Sequence, residues 1–168
     1  MVIKINITRF FHQISNRTKI HDFVTKFKKI WDNRNILIIE GEKTRLGIGN
    51  DLFNNSNCIK RIICPAEQAF NAYDKILQYI RSLKLDKDTL ILISLGPTAT
   101  VLAHDIYYLG NQIIDFGHFD IEYEFYLRKA TKPIKIPKKY VNEVIDGRIN
   151  IAPETDENYY SQIIYKIE

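Results

Sequence analysis

Residues 89 to 125 read TLILISLGPTATVLAHDIYYLGNQIIDFGHFDIEYEF, and the patterning of this stretch decides the fold. Leu90 to Leu95 form a short apolar run rich in branched side chains that stops at Gly96-Pro97, the pattern of a buried strand. Thr98, beside Pro97, is placed to cap a helix that carries Val101, Leu102, Ile106 and Leu109 at helical spacing until Gly110 supplies a left-handed stop. A second strand is expected over Gln112 to Asp115. It exits into Gly117-His118, after which His118, Asp120, Glu122 and Glu124 alternate with Phe119, Ile121, Tyr123 and Phe125. The unit is strand, helix, strand, with its chemistry at the strand ends, and open α/β sheets bind ligands in the crevice beyond those ends.

Working outward, the same alternation continues on the N-terminal side. Ile20, Phe23, Val24, Phe27, Ile30 and Trp31 form one helical stripe with Lys26, Lys28 and Lys29 turned to solvent, and Asp32-Asn33 ends the helix. Asn35 to Ile39 is too apolar for a sheet with one wet face, which favours a parallel sheet covered on both sides. Lys60 to Cys64 reads as a further strand ending at Pro65, followed by a helix through Ala69, Tyr73, Ile76, Leu77 and Ile80. The alternation predicts an α/β domain, Rossmann-like, with an open and mostly parallel sheet and helices on both faces. One domain over residues 1–168 is expected, with a core over 19–128 and a C-terminal extension over 129–168. In that extension Tyr159 to Ile167 reads as a terminal helix or strand. Val2, Ile3 and Ile5 suit a short edge strand, and Phe10 and Phe11 present apolar surface to be buried.

Composition bounds the function. With 168 residues, 45% hydrophobic and 12% aromatic, the chain can bury a real core. Its 24 basic against 20 acidic residues give a net charge of +4, which mildly suits anionic ligands and is no nucleic-acid signature. Cys58 and Cys64 lack zinc or redox spacing and read as free thiols of a reducing compartment. MVIKINITRF is not a signal peptide, no apolar run approaches bilayer-spanning length, and a cytoplasmic location follows as the expectation.

Four strand exits carry Glu40-Gly41-Glu42, Cys64-Pro65, Gly96-Pro97-Thr98 and Asp115-Phe116-Gly117-His118, and in a parallel sheet these converge on one edge. Gly96-Pro97-Thr98-Ala99-Thr100 offers backbone N–H groups, a helix dipole and two hydroxyls to a phosphate, or is an ordinary capped helix. His118 to Glu124 presents acidic side chains in either conformation. Extended, the four polar residues share one face; helical, His118 stacks with Glu122 and Asp120 with Glu124. Such oxygen ligands suit Mg²⁺ or Mn²⁺ shared with substrate phosphates, or form a solvated acidic face. Arg45 is placed to pair with Glu40 or Glu42, or to clamp a phosphate. Gly47-Ile48-Gly49 resembles the start of a dinucleotide fingerprint, but it lies well past the strand and Leu52 takes the third glycine position. His104 and Asp105 read as a local pair.

The stretches Glu40 to Phe53, Arg61 to Pro65, Leu95 to Ala103 and Asp115 to Phe125, in this order, closely resemble the bacterial glycosyltransferase domain family with the GT-D fold. The resemblance runs from about Lys19 to Phe125 and continues weakly beyond. It implies transfer of a hexose from a nucleotide sugar such as UDP-glucose or UDP-galactose to a glycan or glycopeptide acceptor, in glycoprotein or surface-polysaccharide synthesis, with a divalent metal at an Asp-x-Glu motif. Carried onto these residues, it implies Asp120, Glu122 and Glu42 as catalytic groups, with Asp120 and Glu122 holding the metal. It also implies a substrate site of Glu40, Arg45, Gly47, Gly49, Asn50, Asp51, Gly96, Thr98, Ala99, Thr100 and His118. Members of the family carry an N-terminal Arg-Phe-Gly-Asp-Gly-Glu segment, with its own Asp-x-Glu, that residues 1 to 34 do not match. The alternative expectation is therefore a half-domain that binds a nucleotide or a partner chain, either a separate N-terminal half or a second copy, without transfer.

Overall fold

The structure is a computed structural model that describes residues 2–4 and 17–168; Ile5, Phe10 and Phe11 lie outside the described residues. In chain order the main elements are β1 (Val2–Lys4), α1 (Arg17–Lys28), β2 (Asn35–Gly41), β3 (Cys58–Cys64), α2 (Tyr73–Ser82) and β4 (Leu90–Ser94). These are followed by α3 (Pro97–Asp105), β5 (Ile113–Asp115), α4 (Phe119–Leu127), α5 (Glu157–Ser161) and β6 (Ile163–Lys166). Among the described residues the strands form one six-stranded sheet in the order β1-β5-β4-β2-β3-β6, and every neighbouring pair is parallel.

Strict alternation in the central strands builds the two faces. Leu37 and Ile39 of β2 with Ile91 and Ile93 of β4 pack under α2 and α3, against Ile76, Ile80, Leu102 and Ala103. Ile36 and Ile38 with Leu90 and Leu92 point the other way, under α1 and the start of α4, against Ile20, Val24, Phe119 and Tyr123. On that second face Trp31 is fully buried, donates its indole N–H to the Leu52 carbonyl at 2.9 Å, and stands edge-on to Phe27, Phe53 and Phe116. This cluster fastens the long β2–β3 loop to the sheet, since Leu46, Leu52 and Phe53 belong to the same core.

The topology fixes where ligands can go. From β2 the chain moves outward to β3, then crosses to β4 on the opposite side of β2 and continues to β5. The direction reverses between β2 and β4, so their carboxyl ends flank the crevice of a doubly wound sheet.

Several expectations are refined. Helix α3 starts at Pro97 with Gly96 as its cap residue, and Thr98 lies inside the helix, buried, with no capping bond. Gly96 sits at φ 55°, ψ −139°, a backbone state in which a Cβ is strained, which is why glycine and not threonine occupies the corner. The alternating segment after Gly117 is helical, because Phe119 and Tyr123, one turn apart, reach the sheet core together. The C-terminal stretch is both helix and strand: α5 turns into β6, which pairs with the outer edge of β3.

Candidate active site

Beyond the carboxyl ends of β2 to β5 lies a crevice of about 450 Å³. Gly41, Thr44 and Leu46 form its floor on the β2 side, Pro65 to Ala69 one flank, and Ser94 to Pro97 the wall toward α3. Gly117, His118, Asp120 and Ile121 bring the start of α4 to it, and Tyr140 and Asn142 close it from the C-terminal segment. The amino ends of both α3 and α4 therefore open on one cavity, and each contributes the positive end of a helix dipole.

Of the residues expected at the site, Gly96, His118 and Asp120 line the crevice. His118 is about one-third exposed, with its Nδ1 3.7 Å from Glu143. Thr98 and Ala99 are buried in the helix, and the Thr100 hydroxyl donates to Asp115 at 2.8 Å. Arg45 donates to the carbonyls of Lys138, at 2.7 Å, and Ala152, at 2.6 Å, so it pairs with neither Glu40 nor Glu42. Glu42 is half-exposed and receives Lys166 at 2.7 Å, while His104 and Asp105 form the local pair, at 2.8 Å.

Glu40 lies beneath the crevice floor. One carboxylate oxygen accepts from Arg61 at 2.6 Å and the other from the Leu46 N–H at 2.6 Å, with both partners of the ion pair fully buried. Burial pushes the Glu40 carboxyl above its ordinary range, against the pull of the Arg61 guanidinium. Arg61 also donates to Gln162 and to the Leu46 carbonyl, and its guanidinium lies 5.1 Å from the centre of the Tyr159 ring. Asp51 accepts from Tyr123 at 2.6 Å and Lys28 at 2.9 Å; burial raises its carboxyl, but these bonds outweigh burial and hold it below the usual range.

Asp120 is buried and fully engaged. One oxygen accepts from the Gly47 N–H at 3.1 Å and from Asn50 at 2.8 Å, and the other from the Lys139 ammonium at 2.6 Å. Glu124, one turn on, accepts from Asn50 at 2.8 Å, Lys139 at 3.2 Å and Arg128 at 3.2 Å. Gly47 itself has φ 74°, and a Cβ there would stand 2.3 Å from the Phe53 ring, so glycine lets the loop reach Asp120. Glu122 is buried on another side of the helix, because residues two apart are separated by about 200°. Asp120 and Glu122 thus do not fit as joint ligands of one metal ion. Among the described residues no three or more His, Cys, Asp or Glu side chains are grouped to hold one.

Arg61 and Lys139 escaped the sequence reading. Arg61 had a signal: an arginine opening the run Arg61-Ile62-Ile63-Cys64 of a doubly covered strand needs a buried carboxylate. Lys139 follows Pro137 in a segment with no period, and nothing local marks it as buried.

Comparison with known proteins agrees with this architecture. The family model described as glycosyltransferase GT-D fold matches residues 3–144. Glycosyltransferase GlyD of Streptococcus pneumoniae serotype 4 (strain ATCC BAA-334 / TIGR4) is 43% identical over 143 residues, covering 84% of this chain and 17% of that protein. The probable glycosyl transferase Gly of Streptococcus gordonii is 37% identical over 158 residues, covering 94% of this chain and 23% of its own length. A solved structure of the highly conserved domain of unknown function 1792, described as having a distinct glycosyltransferase fold, superposes with a TM-score of 0.84 at 38% identity, covering 92% of this chain and 55% of that one. A structure described as a new glycosyltransferase from Streptococcus sanguinis gives 0.85 at 34% identity, over 96% of this chain and 60% of that one. The chain thus spans between about a sixth and a quarter of these two curated relatives and somewhat over half of these solved chains. With a family model over most of its length and relatives of this similarity, the chain belongs to the glycosyltransferase GT-D fold family.

Proposed function

We propose that this chain is the donor-handling part of a glycosyltransferase that moves a hexose from a UDP-sugar to a glycan or glycopeptide acceptor. The observation that carries the reading is the convergence of the α3 and α4 amino ends on the switch-point crevice. A diphosphate set against Gly96 and Gly117 meets two helix dipoles, and the same dipoles stabilise the charge that grows on the departing nucleoside diphosphate.

In the transfer, the acceptor oxygen forms the new bond to the anomeric carbon. The bond to the diphosphate oxygen breaks, its electron pair leaving with the nucleotide. The acceptor proton needs a base in the crevice, and the imidazole of His118 is the lining group suited to accept it. Glu143, on the Nδ1 side, would stabilise the imidazolium so formed. Glycoprotein or surface-polysaccharide synthesis is the setting this reading implies, in the cytoplasm, consistent with the free thiols Cys58 and Cys64. Among the described residues no helix is long and apolar enough to cross a membrane.

The test is amide chemical-shift mapping of the full chain during titration with UDP-glucose or UDP-galactose. Saturable shifts centred on Gly96, Gly117 and His118 are expected; shifts elsewhere, or none, would reject the site. Release of free hexose from the donor then separates a catalytic domain from one that only binds, and His118→Gln should lower hydrolysis by about 10²-fold or more.

A further inference from the structure

We propose that the Lys139 ammonium is the resident cation of the acidic helix α4, and that Asp120 takes up no divalent metal in this chain. The family resemblance implies a metal at Asp120 and Glu122, and the geometry disagrees. Lys139 Nζ lies 2.6 Å from Asp120 and 3.2 Å from Glu124, and all three side chains are at least nine-tenths buried. The ammonium occupies the place a divalent ion would take between two carboxylates one helical turn apart. Asn50 completes the cage by donating to both acids.

The lysine is delivered to this place by the backbone. The Lys139 N–H donates to the Ile136 carbonyl, the Tyr140 N–H donates to the Lys43 carbonyl, and Arg45 holds the Lys138 carbonyl at 2.7 Å. Residues 136–140 are thus strapped to the β2–β3 loop on both sides of the ammonium. Arg128 adds a second positive charge at Glu124, so two buried acids face two bases and the cluster is balanced as it stands. A divalent ion would have to expel Lys139 from a buried pair and leave its charge without a counter-ion, which opposes uptake. In functional terms, Lys139 fixes Asp120 at the crevice wall and Asp120 in turn holds the Gly47 N–H. Loop, helix and C-terminal segment are organised together without metal.

The test is Mn²⁺ titration of the full chain followed by electron paramagnetic resonance, with thermal melts in chelator and in Mn²⁺. Wild type should take up no Mn²⁺ that Asp120→Asn abolishes, and its melting temperature should be the same in both buffers. Lys139→Ala exposes the Asp120–Glu124 pair, and it should melt well below wild type in chelator. It should also bind Mn²⁺ about tenfold or more tighter than wild type and regain part of the lost melting temperature with the ion. Wild-type uptake lost in Asp120→Asn or Glu122→Gln would overturn the proposal, as would a Lys139→Ala chain that melts like wild type in chelator. If Lys139→Ala does not fold in any buffer, the wild-type titration decides by itself. None of these readouts depends on donor binding or on transfer, so the outcome is separable from the fate of the proposed function.

Discussion

Glu40 shows how far a single residue can be read from its position and where the reading stops. The family resemblance implies a substrate role for it, yet its carboxylate is fully buried and bonded to Arg61 at 2.6 Å. The partner lies 21 residues away on the neighbouring strand, and strand pairing, not local pattern, brings the two together. Breaking such a pair leaves a buried charge uncompensated, which is far costlier than replacing both members by apolar groups. Glu40→Gln keeps the shape and an acceptor for the Leu46 N–H but strands the Arg61 charge. It should therefore lose about 3–5 kcal/mol, measured as a lower urea midpoint at unchanged slope. Glu40→Met with Arg61→Met should recover most of that loss. If the single variant loses less than about 1 kcal/mol, the pair does not anchor the crevice floor.

At the scale of elements, the strands were legible and the short C-terminal pieces were not. Strands β2 and β4 are buried on both faces, so each appears as an unbroken apolar run whose type and place follow from composition. Helix α4 carries the opposite signal. Its alternating polar and apolar residues match an extended segment, and the helix wins because Phe119 and Tyr123 pack on the sheet while Lys139 neutralises the acids turned inward and Asn50 donates hydrogen bonds to them. Elements α5 and β6 are only 5 and 4 residues long, too short for periodicity to separate them. Their contribution is tertiary: Tyr159 is buried against the Arg61 guanidinium, Gln162 accepts from the Arg61 Nε, and β6 covers the edge of β3. Tyr159→Ala removes an aromatic ring from that junction and should cost about 3–5 kcal/mol in chemical denaturation. A loss below about 1 kcal/mol would mean that α5 is not part of the folded core.

Across the whole molecule, the sheet and its helices form the body, and residues 129–168 wrap the crevice and close on the far edge of the sheet. The wrap depends on ionised groups to a degree the apolar core does not, and this sets how it responds to acid. Glu154 is buried and accepts from the Lys138 ammonium at 2.9 Å and from the Thr155 and Asp156 N–H groups at 2.9 and 3.1 Å. Burial alone would raise its carboxyl, but the lysine and the two backbone donors outweigh burial and hold it below the ordinary 4.5. A carboxyl with a lowered folded-state pKa adds stability that is present above the unfolded value and is lost as pH falls through the folded one, because the unfolded chain then binds the extra proton. Glu154→Gln should therefore be less stable than wild type by about 1–3 kcal/mol at neutral pH, the scale of hydrogen bonds to a charged acceptor. The gap should narrow as pH falls below about 4.5 and go on closing as it passes through the lowered folded-state value. Urea denaturation of the two proteins across that range measures it. A constant gap would show that Glu154 acts through packing and not through its charge.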